Sequence, residues 1–529
     1  EFRRVLFRST TGANVIVDTQ ATLYGNGSQT AGILANTNGA SGTVTVINSG
    51  AVTATGTGID ARSINGNTTV YSTGNVVGGN GTGNDGGINV DITGSGNANV
   101  TTSGSASVTG NSGTDGIHVR TVSGSIYVNT ENSYGSVWGS QDGIDVSGNS
   151  TINVYANGVT GNTGKGIIAA SIGAGGPVYV EAWNGYSVSG ATGGIYASST
   201  NANAVQVNTY TTISGGSGDG INATSSGNGT VTVDTYYSNI TASGNGIYAS
   251  TTGIINIGQN NGVYGSFSGM GNTSAGIRAV GATGAVTINN HGDMSALTNA
   301  QDGIQASSTS GSINISNYGQ IGSSGNGVNA IGIDATKTTG NSSVVVYNEG
   351  SIYVDAASGN ATTYGIHATN GGTGGNVTVT NYTYYGNFIG SSSAKPTYGI
   401  YAQGNGNVIV DSYQTSYFYQ VGAITAGTDG IYAESTGSGN VQVGYNSNIL
   451  STFSGATNAG IEAKSLGGST TVYNAGSMSA LSGALYGIKA SSTTGQVYVY
   501  NSGQIGAASG SNGVNLMGIS ATSSGNNTS

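Results

Sequence analysis

The chain of 529 residues has no cysteine, which excludes disulfides and thiolate metal centres. It has only two prolines, three histidines, two tryptophans and six phenylalanines, and charged residues make up just 6 % of it. Eleven basic residues form no patch suited to a phosphate backbone, so nucleic acid is not an expected partner. The formal charge of −10 comes from 21 thinly spread acids and chiefly keeps a polar chain soluble. No apolar run approaches the roughly 18–20 residues that a membrane-spanning helix needs.

What fills the chain instead is glycine, 97 residues of it, with 31 tyrosines and a great deal of Asn, Ser and Thr. Such a mixture can belong to a disordered chain, because scattered apolar groups do not offset the entropy of ordering a backbone. Periodicity argues otherwise. Gly-Ile-x-Ala or Gly-Ile-x-Val occurs eighteen times, with its Ile at 33, 59, 88, 117, 144, 167, 195, 221, 247, 277, 304, 333, 366, 400, 431, 461, 488 and 519. Neighbouring copies are 23 to 34 residues apart.

Between copies the pattern is constant. A polar turn leads to an alternating strand, such as VTVIN from Val44, INISN from Ile313 or VYVYN from Val497. In six units this strand runs into Asn-x-Gly, from Asn48, Asn290, Asn317, Asn348, Asn474 and Asn501, followed by a third short apolar stretch. Period-two alternation gives each strand one apolar and one polar face. Three short strands and three turns per repeat describe one winding of a β-solenoid, with Ile above Ile, Ala above Ala and Val above Val. The expected fold is therefore all-β, a right-handed parallel β-helix of roughly 18 coils, right-handed because parallel crossovers almost always are. At the corner, Asn is expected to hydrogen-bond the backbone and to tolerate left-handed φ, with Gly allowing the tight bend. Continued alternation predicts that Asn290, Asn317 and Asn348 stack in a hydrogen-bonded ladder.

A longer period lies above this one. VTINNHGDMSALTNAQDGIQA from Val286 returns 184 residues later as TTVYNAGSMSALSGALYGIKA from Thr470, so six coils form a super-repeat. The residues kept are Asn, Gly, Met-Ser-Ala-Leu and Gly-Ile-x-Ala, and none of them is a carboxylate, histidine or lysine. Preservation of this kind points to stacking rather than to a reaction site. Residues 1–9, EFRRVLFRS, carry three of the eleven basic residues and no glycine, and are expected to be foreign to the fold, which then occupies 10–529.

Few residues offer chemistry. Asp precedes Gly-Ile at Asp115, Asp142, Asp219, Asp302 and Asp429, where it suits either a turn entering a strand or, less simply, calcium or acid catalysis. GGSGDGI at Gly215 and GNGTGNDGG at Gly79 faintly resemble a calcium-binding nonapeptide, but neither is tandem. Asp142 and Asp145 flank one Gly-Ile, the second expected to face solvent, and two acids without a group that shifts one pKa or positions water make no catalytic pair. The histidines, His118, His291 and His367, lie in different units. No catalytic residue, metal site or cofactor is assigned, and the chain is not expected to be an enzyme.

The most interpretable surface is the x of Gly-Ile-x-Ala, which alternation turns outward. In successive late coils it reads Asp334, His367, Tyr401, Tyr432, Glu462, Lys489. Tyr401 on Tyr432 and Glu462 beside Lys489 would be favourable cross-strand pairs. Further Tyr clusters lie in NYTYYGNF from Asn381 and DSYQTSYFYQ from Asp411. Tyr at such positions serves either as a ligand-contacting surface, with Tyr401 and Tyr432 the candidate binding residues, or simply as a residue suited to strands.

The Val-x-Val-x-Asn-x-Gly-x-Ile corner together with Gly-Ile-x-Ala resembles the passenger domains of bacterial autotransporters and related filamentous adhesins, over nearly all of the chain after residue 9. The resemblance implies display or release at the outer-membrane surface of a Gram-negative bacterium, carbohydrate or protein ligands there, and membrane contact only through a C-terminal β-barrel outside this stretch. The expected function is a structural or adhesive stalk. Two alternatives are a carbohydrate-active β-helix enzyme, favoured by acids and a base converging over adjacent coils, and a functional amyloid-type matrix protein, favoured by pairing between chains.

Overall fold

The computed structural model describes residues 5–9, 12–25, 31–79, 86–173, 175–183, 185–260, 262–297, 299–355, 362–382, 387–413, 422–444, 449, 451–506 and 513–525. Among the described residues there are 51 β-strands and no helix. The chain divides into two compact units, Glu1–Gly253 and Ile254–Ser529. Each is wound from parallel strands on three walls, the third of which is an 11-stranded sheet and a separate 3-stranded one, and the windings number about 16 against the 18 Gly-Ile motifs.

One winding of the first unit shows the plan. Ile117–Thr121 belongs to the Gly-Ile sheet, Ile126–Asn129 to the sheet of alternating Val, and Val137–Gly139 to the sheet beyond the corner. The chain then returns as Ile144–Gly148, which lies parallel to Ile117–Thr121 with Ile144 on Ile117 and Val146 on Val119. In the second unit Asp302–Ser308 pairs with Ile331–Lys337, placing Ile333 on Ile304 and Ala335 on Ala306. All four side chains are fully buried. Since each buried Ile contributes on the order of 1.5–3 kcal/mol, a column of them offsets the ordering of a glycine-rich backbone. Val5–Ser9, set apart by its composition, also takes a strand position, pairing residue for residue with Ile33–Thr37.

The predicted Asn ladder is present. Asn290 Nδ2 donates to Asn317 Oδ1 at 2.7 Å, Asn317 to Asn348 at 2.8 Å, and Asn348 to Asn381 at 2.8 Å. The first three of these side chains are wholly buried. Each also ties its own corner, as Asn317 Nδ2 does to the carbonyl of Gly319 at 2.8 Å. The left-handed φ that Asn was expected to tolerate at the corner is not used: neither Asn290, Asn317 and Asn348 nor Gly292, Gly319 and Gly350 has a positive φ. The latter three are glycine because windings approach too closely for a side chain. A Cβ on Gly319 would sit inside the contact radius of the Gly292 carbonyl oxygen, and one on Gly350 would meet that of Gly319.

The glycine of Gly-Ile answers to the opposite wall of the same winding. A Cβ on Gly276 would lie 2.9 Å from both Met294 Sδ and Leu297 Cδ1, and one on Gly460 would lie 2.9 Å from both Met478 Sδ and Leu481 Cδ1. All four apolar side chains are fully buried. The repeated Met-Ser-Ala-Leu is thus the plug that fills the space its distant glycine leaves open.

Candidate functional site

In the second unit the outward column forms in the order the sequence predicts. Asp334, His367, Tyr401, Tyr432, Glu462 and Lys489 are register neighbours on consecutive strands. His367 Nδ1 lies 2.9 Å from Asp334 Oδ1, which also accepts from Thr336 Oγ1 at 2.7 Å. The rings of Tyr401 and Tyr432 stack at 4.7 Å and 6°. Lys489 Nζ meets Glu462 Oε1 at 3.0 Å.

Neighbouring columns widen this into a surface. Tyr364 and Tyr398 stack at 5.5 Å and 14°, and both meet Tyr401 edge-on at 5.4 Å. On the other side Glu434 accepts from the Tyr432 hydroxyl at 2.8 Å and pairs with Lys464 at 3.1 Å. The Lys464 ammonium stands 4.9 Å from the centre of the Tyr432 ring, within cation–π reach. Burial, and then the charge of Glu434, pushes the Tyr401 phenol up to about 12; burial and the hydrogen bond to Glu434 push Tyr432 up as well. Both therefore keep their protons at neutral pH and remain uncharged aromatic faces with polar rims.

Acids and bases do converge here over adjacent windings, the condition set for an enzyme. They engage one another, however: Glu434 with Lys464, and Glu462 with Lys489 and with Asn458 Nδ2 at 2.6 Å. Asp334 and Glu462 point outward yet are only 9 % and 8 % exposed, because the tall aromatic and cationic neighbours cover them. What the surface offers is an aromatic platform of stacked and edge-on rings, bordered by amide, hydroxyl, ammonium and carboxylate groups.

A second aromatic row runs on the Val sheet of this unit, through the outward slot after the corner Asn that His291 and Tyr318 share. His291 is stacked between Tyr264, at 4.9 Å, and Tyr318, at 4.3 Å, and burial lowers its pKa. Tyr318, Tyr347, Tyr382 and Tyr413 continue it with centroid distances of 5.6, 6.5 and 5.4 Å. Of the two Tyr-rich stretches singled out in the sequence, residues 383–386 and 414–420 lie outside the described residues, as do 80–85 of the segment from Gly79.

The five Asp-Gly-Ile aspartates act between windings, not only within a turn. Asp115 Oδ1 accepts the Asp142 N–H at 3.1 Å, Asp142 that of Lys165 at 2.5 Å, Asp219 that of Asn245 at 2.7 Å, and Asp429 that of Ala459 at 2.9 Å. Each donor occupies the equivalent place one winding on. Asp219, in GGSGDGI, also accepts from the side chains of Asn222 and Asn245. Asp302 is held less well: its buried Oδ1 has no well-formed hydrogen bond, Oδ2 accepts from Gln305 Nε2 at 3.2 Å, and the Ile331 N–H one winding on acts on the carboxylate without closing a directed bond. Burial and the nearby charge of Asp334 push Asp302 up to about 7; burial and Glu462 push Asp429 up to about 6.

In the first unit the outward column contains Asp60, Asn89, His118 and Asp145 as register neighbours. Asp145 does face outward, but beside His118, an adjacency that the outward positions would have revealed had they been read in order in this half too. Burial works to lower the His118 pKa, but the flanking Asp115 and Asp145 carboxylates hold it up to about 9.

Fold and surface together define a parallel β-solenoid repeat protein. Compared with known protein families, curated proteins and solved structures, the chain matches none.

Proposed function

We propose that the chain is a structural or adhesive β-helix of the autotransporter-passenger kind, displayed outside a Gram-negative cell and presenting its Tyr-bearing face to carbohydrate or protein ligands. The observation that carries this reading is the platform of Tyr364, Tyr398, Tyr401 and Tyr432, with Tyr401 and Tyr432 stacked in parallel to within 6°. A sugar ring offers apolar C–H groups and a rim of hydroxyls, and this surface offers the complement: the outer edges of stacked tyrosines beside Glu434, Lys464 and Gln403, whose Nε2 donates to Glu434. Holding rings rigid on a sheet also lowers the entropy cost of binding.

The test is titration of the protein with oligosaccharides and matrix glycoproteins, followed by calorimetry. Tyr401→Ala with Tyr432→Ala is expected to weaken binding by at least about tenfold, the usual consequence of truncating an anchoring aromatic. Tyr134→Ala, at an 81 % exposed tyrosine of the other unit, is expected to leave it unchanged. Unchanged affinity in the double variant would remove the platform from the proposal.

A further inference from the structure

Three donor atoms in the first unit converge without satisfying one another. His118 Nδ1 lies 3.3 Å from Asp115 Oδ2 and 3.4 Å from Asp145 Oδ2, and all three atoms fall within 4.8 Å of each other. Both carboxylates aim at the same ring nitrogen, which can hold one proton and direct it at one oxygen. The contacts are close but poorly aligned, so that Asp115 Oδ2 and His118 Nδ1 are both buried without a directed hydrogen bond. The Asp115 side chain is only 1 % exposed, and such an atom is costly to leave unmatched. Its other oxygen is already committed to the Asp142 N–H, which fixes the carboxylate with Oδ2 toward the cluster. One strand further along the column, Asn89 Oδ1 is also buried without a donor.

We infer that Asp115, His118 and Asp145 form a binding site for a divalent transition-metal ion of the zinc type. Donors that each stand 2.0–2.1 Å from a tetrahedral ion are separated by about 3.3–3.4 Å, which matches the two spacings around Nδ1. A single cation at the centre engages both carboxylates and the imidazole together, as a single proton cannot. One imidazole nitrogen with two carboxylate oxygens suits zinc and its neighbours, whereas calcium takes six to eight oxygens. Three protein ligands leave a fourth position for water or for a group on a partner. The site is held by three different parts of two windings: Asp115 at a strand entry, His118 on that strand, and Asp145 on its register neighbour.

The experiment is calorimetric titration of the whole chain with Zn²⁺ at about pH 8, where ligand protons compete less. The expected result is one tightly bound ion, with affinity falling by roughly 10–100-fold or more in His118→Gln and in Asp145→Asn, since even second-shell losses cost that much. His367→Gln is expected to keep the ion and controls for binding at the other Asp–His pair. Thermal melts establish that the variants are folded. Should they not fold, zinc-edge X-ray absorption of the loaded wild-type protein is expected to show one imidazole nitrogen with oxygens at about 2.0–2.2 Å. No zinc bound, equal binding in folded wild type and His118→Gln, or a spectrum with more than one imidazole would each overturn the inference and leave an ion-paired triad only.

Discussion

Asn317 shows how a polar side chain can hold a dry interior together. It accepts from Asn290, donates to Asn348 and to the Gly319 carbonyl, and has no contact with water. Asn317→Ala would leave a donor on one side and acceptors on the other unmatched, so a loss of about 2–4 kcal/mol is expected, read by chemical denaturation. A loss under about 1 kcal/mol would mean that the amide chain adds little to the stacked aliphatic columns. The Asn-x-Gly corner was legible in the sequence because alternation carries Asn inward. The cause of the glycine was not, since crowding by the preceding winding is invisible in a single repeat. The same holds for Met294 and Leu297, whose preservation makes sense only once Gly276 is seen to face them.

At the level of strands, the outward columns were legible wherever the x of Gly-Ile-x-Ala was followed from winding to winding. Tyr401 and Tyr432, and Glu462 and Lys489, meet as that order predicts. The aspartates at strand entries were legible as a class but not in their partners, because the amide each one binds belongs to the next winding. Asp302 is met only weakly by the Ile331 N–H of the next winding, and burial with the charge of Asp334 pushes it up to about 7 in the fold against an ordinary 3.8. Between those values the folded state binds more protons than the unfolded one, so this residue's contribution is complete below about pH 3.8 and is lost as pH rises through 7. Asp302→Asn abolishes that dependence. Relative to wild type it is expected to gain about 2–4 kcal/mol between pH 4 and pH 8, measured by denaturant midpoints at both. A constant difference across the range would show that Asp302 stays ionised in the fold.

For the molecule as a whole, the decisive property is that a strand's partners are the equivalent strands of the adjacent windings. Stability of such a stack is roughly a sum of windings and interfaces between neighbours, so whole windings are interchangeable parts. Removing residues 304–332 joins Gly303 to Ile333, restores Gly-Ile, and sets Ile333 over Ile277 where Ile304 had been. This deletion is expected to leave circular dichroism per residue unchanged and to lower the melting temperature only slightly. Removing 304–317 instead takes most of the two strands of a winding and leaves its third wall, bridged at Ile321, and is expected to unfold the surrounding windings. Equal effects of the two deletions would show that the winding is not the unit of folding.

This one-turn pairing has a mechanical side. Pulled by its two ends, a chain whose strands pair with strands a single winding away yields by peeling, one loop at a time. Each release of about 29 residues feeds roughly 100 Å of slack into the tether while the remaining windings stay shut. Tension is thereby limited in small instalments, and each lost loop can rewind on the template left beside it once the load falls.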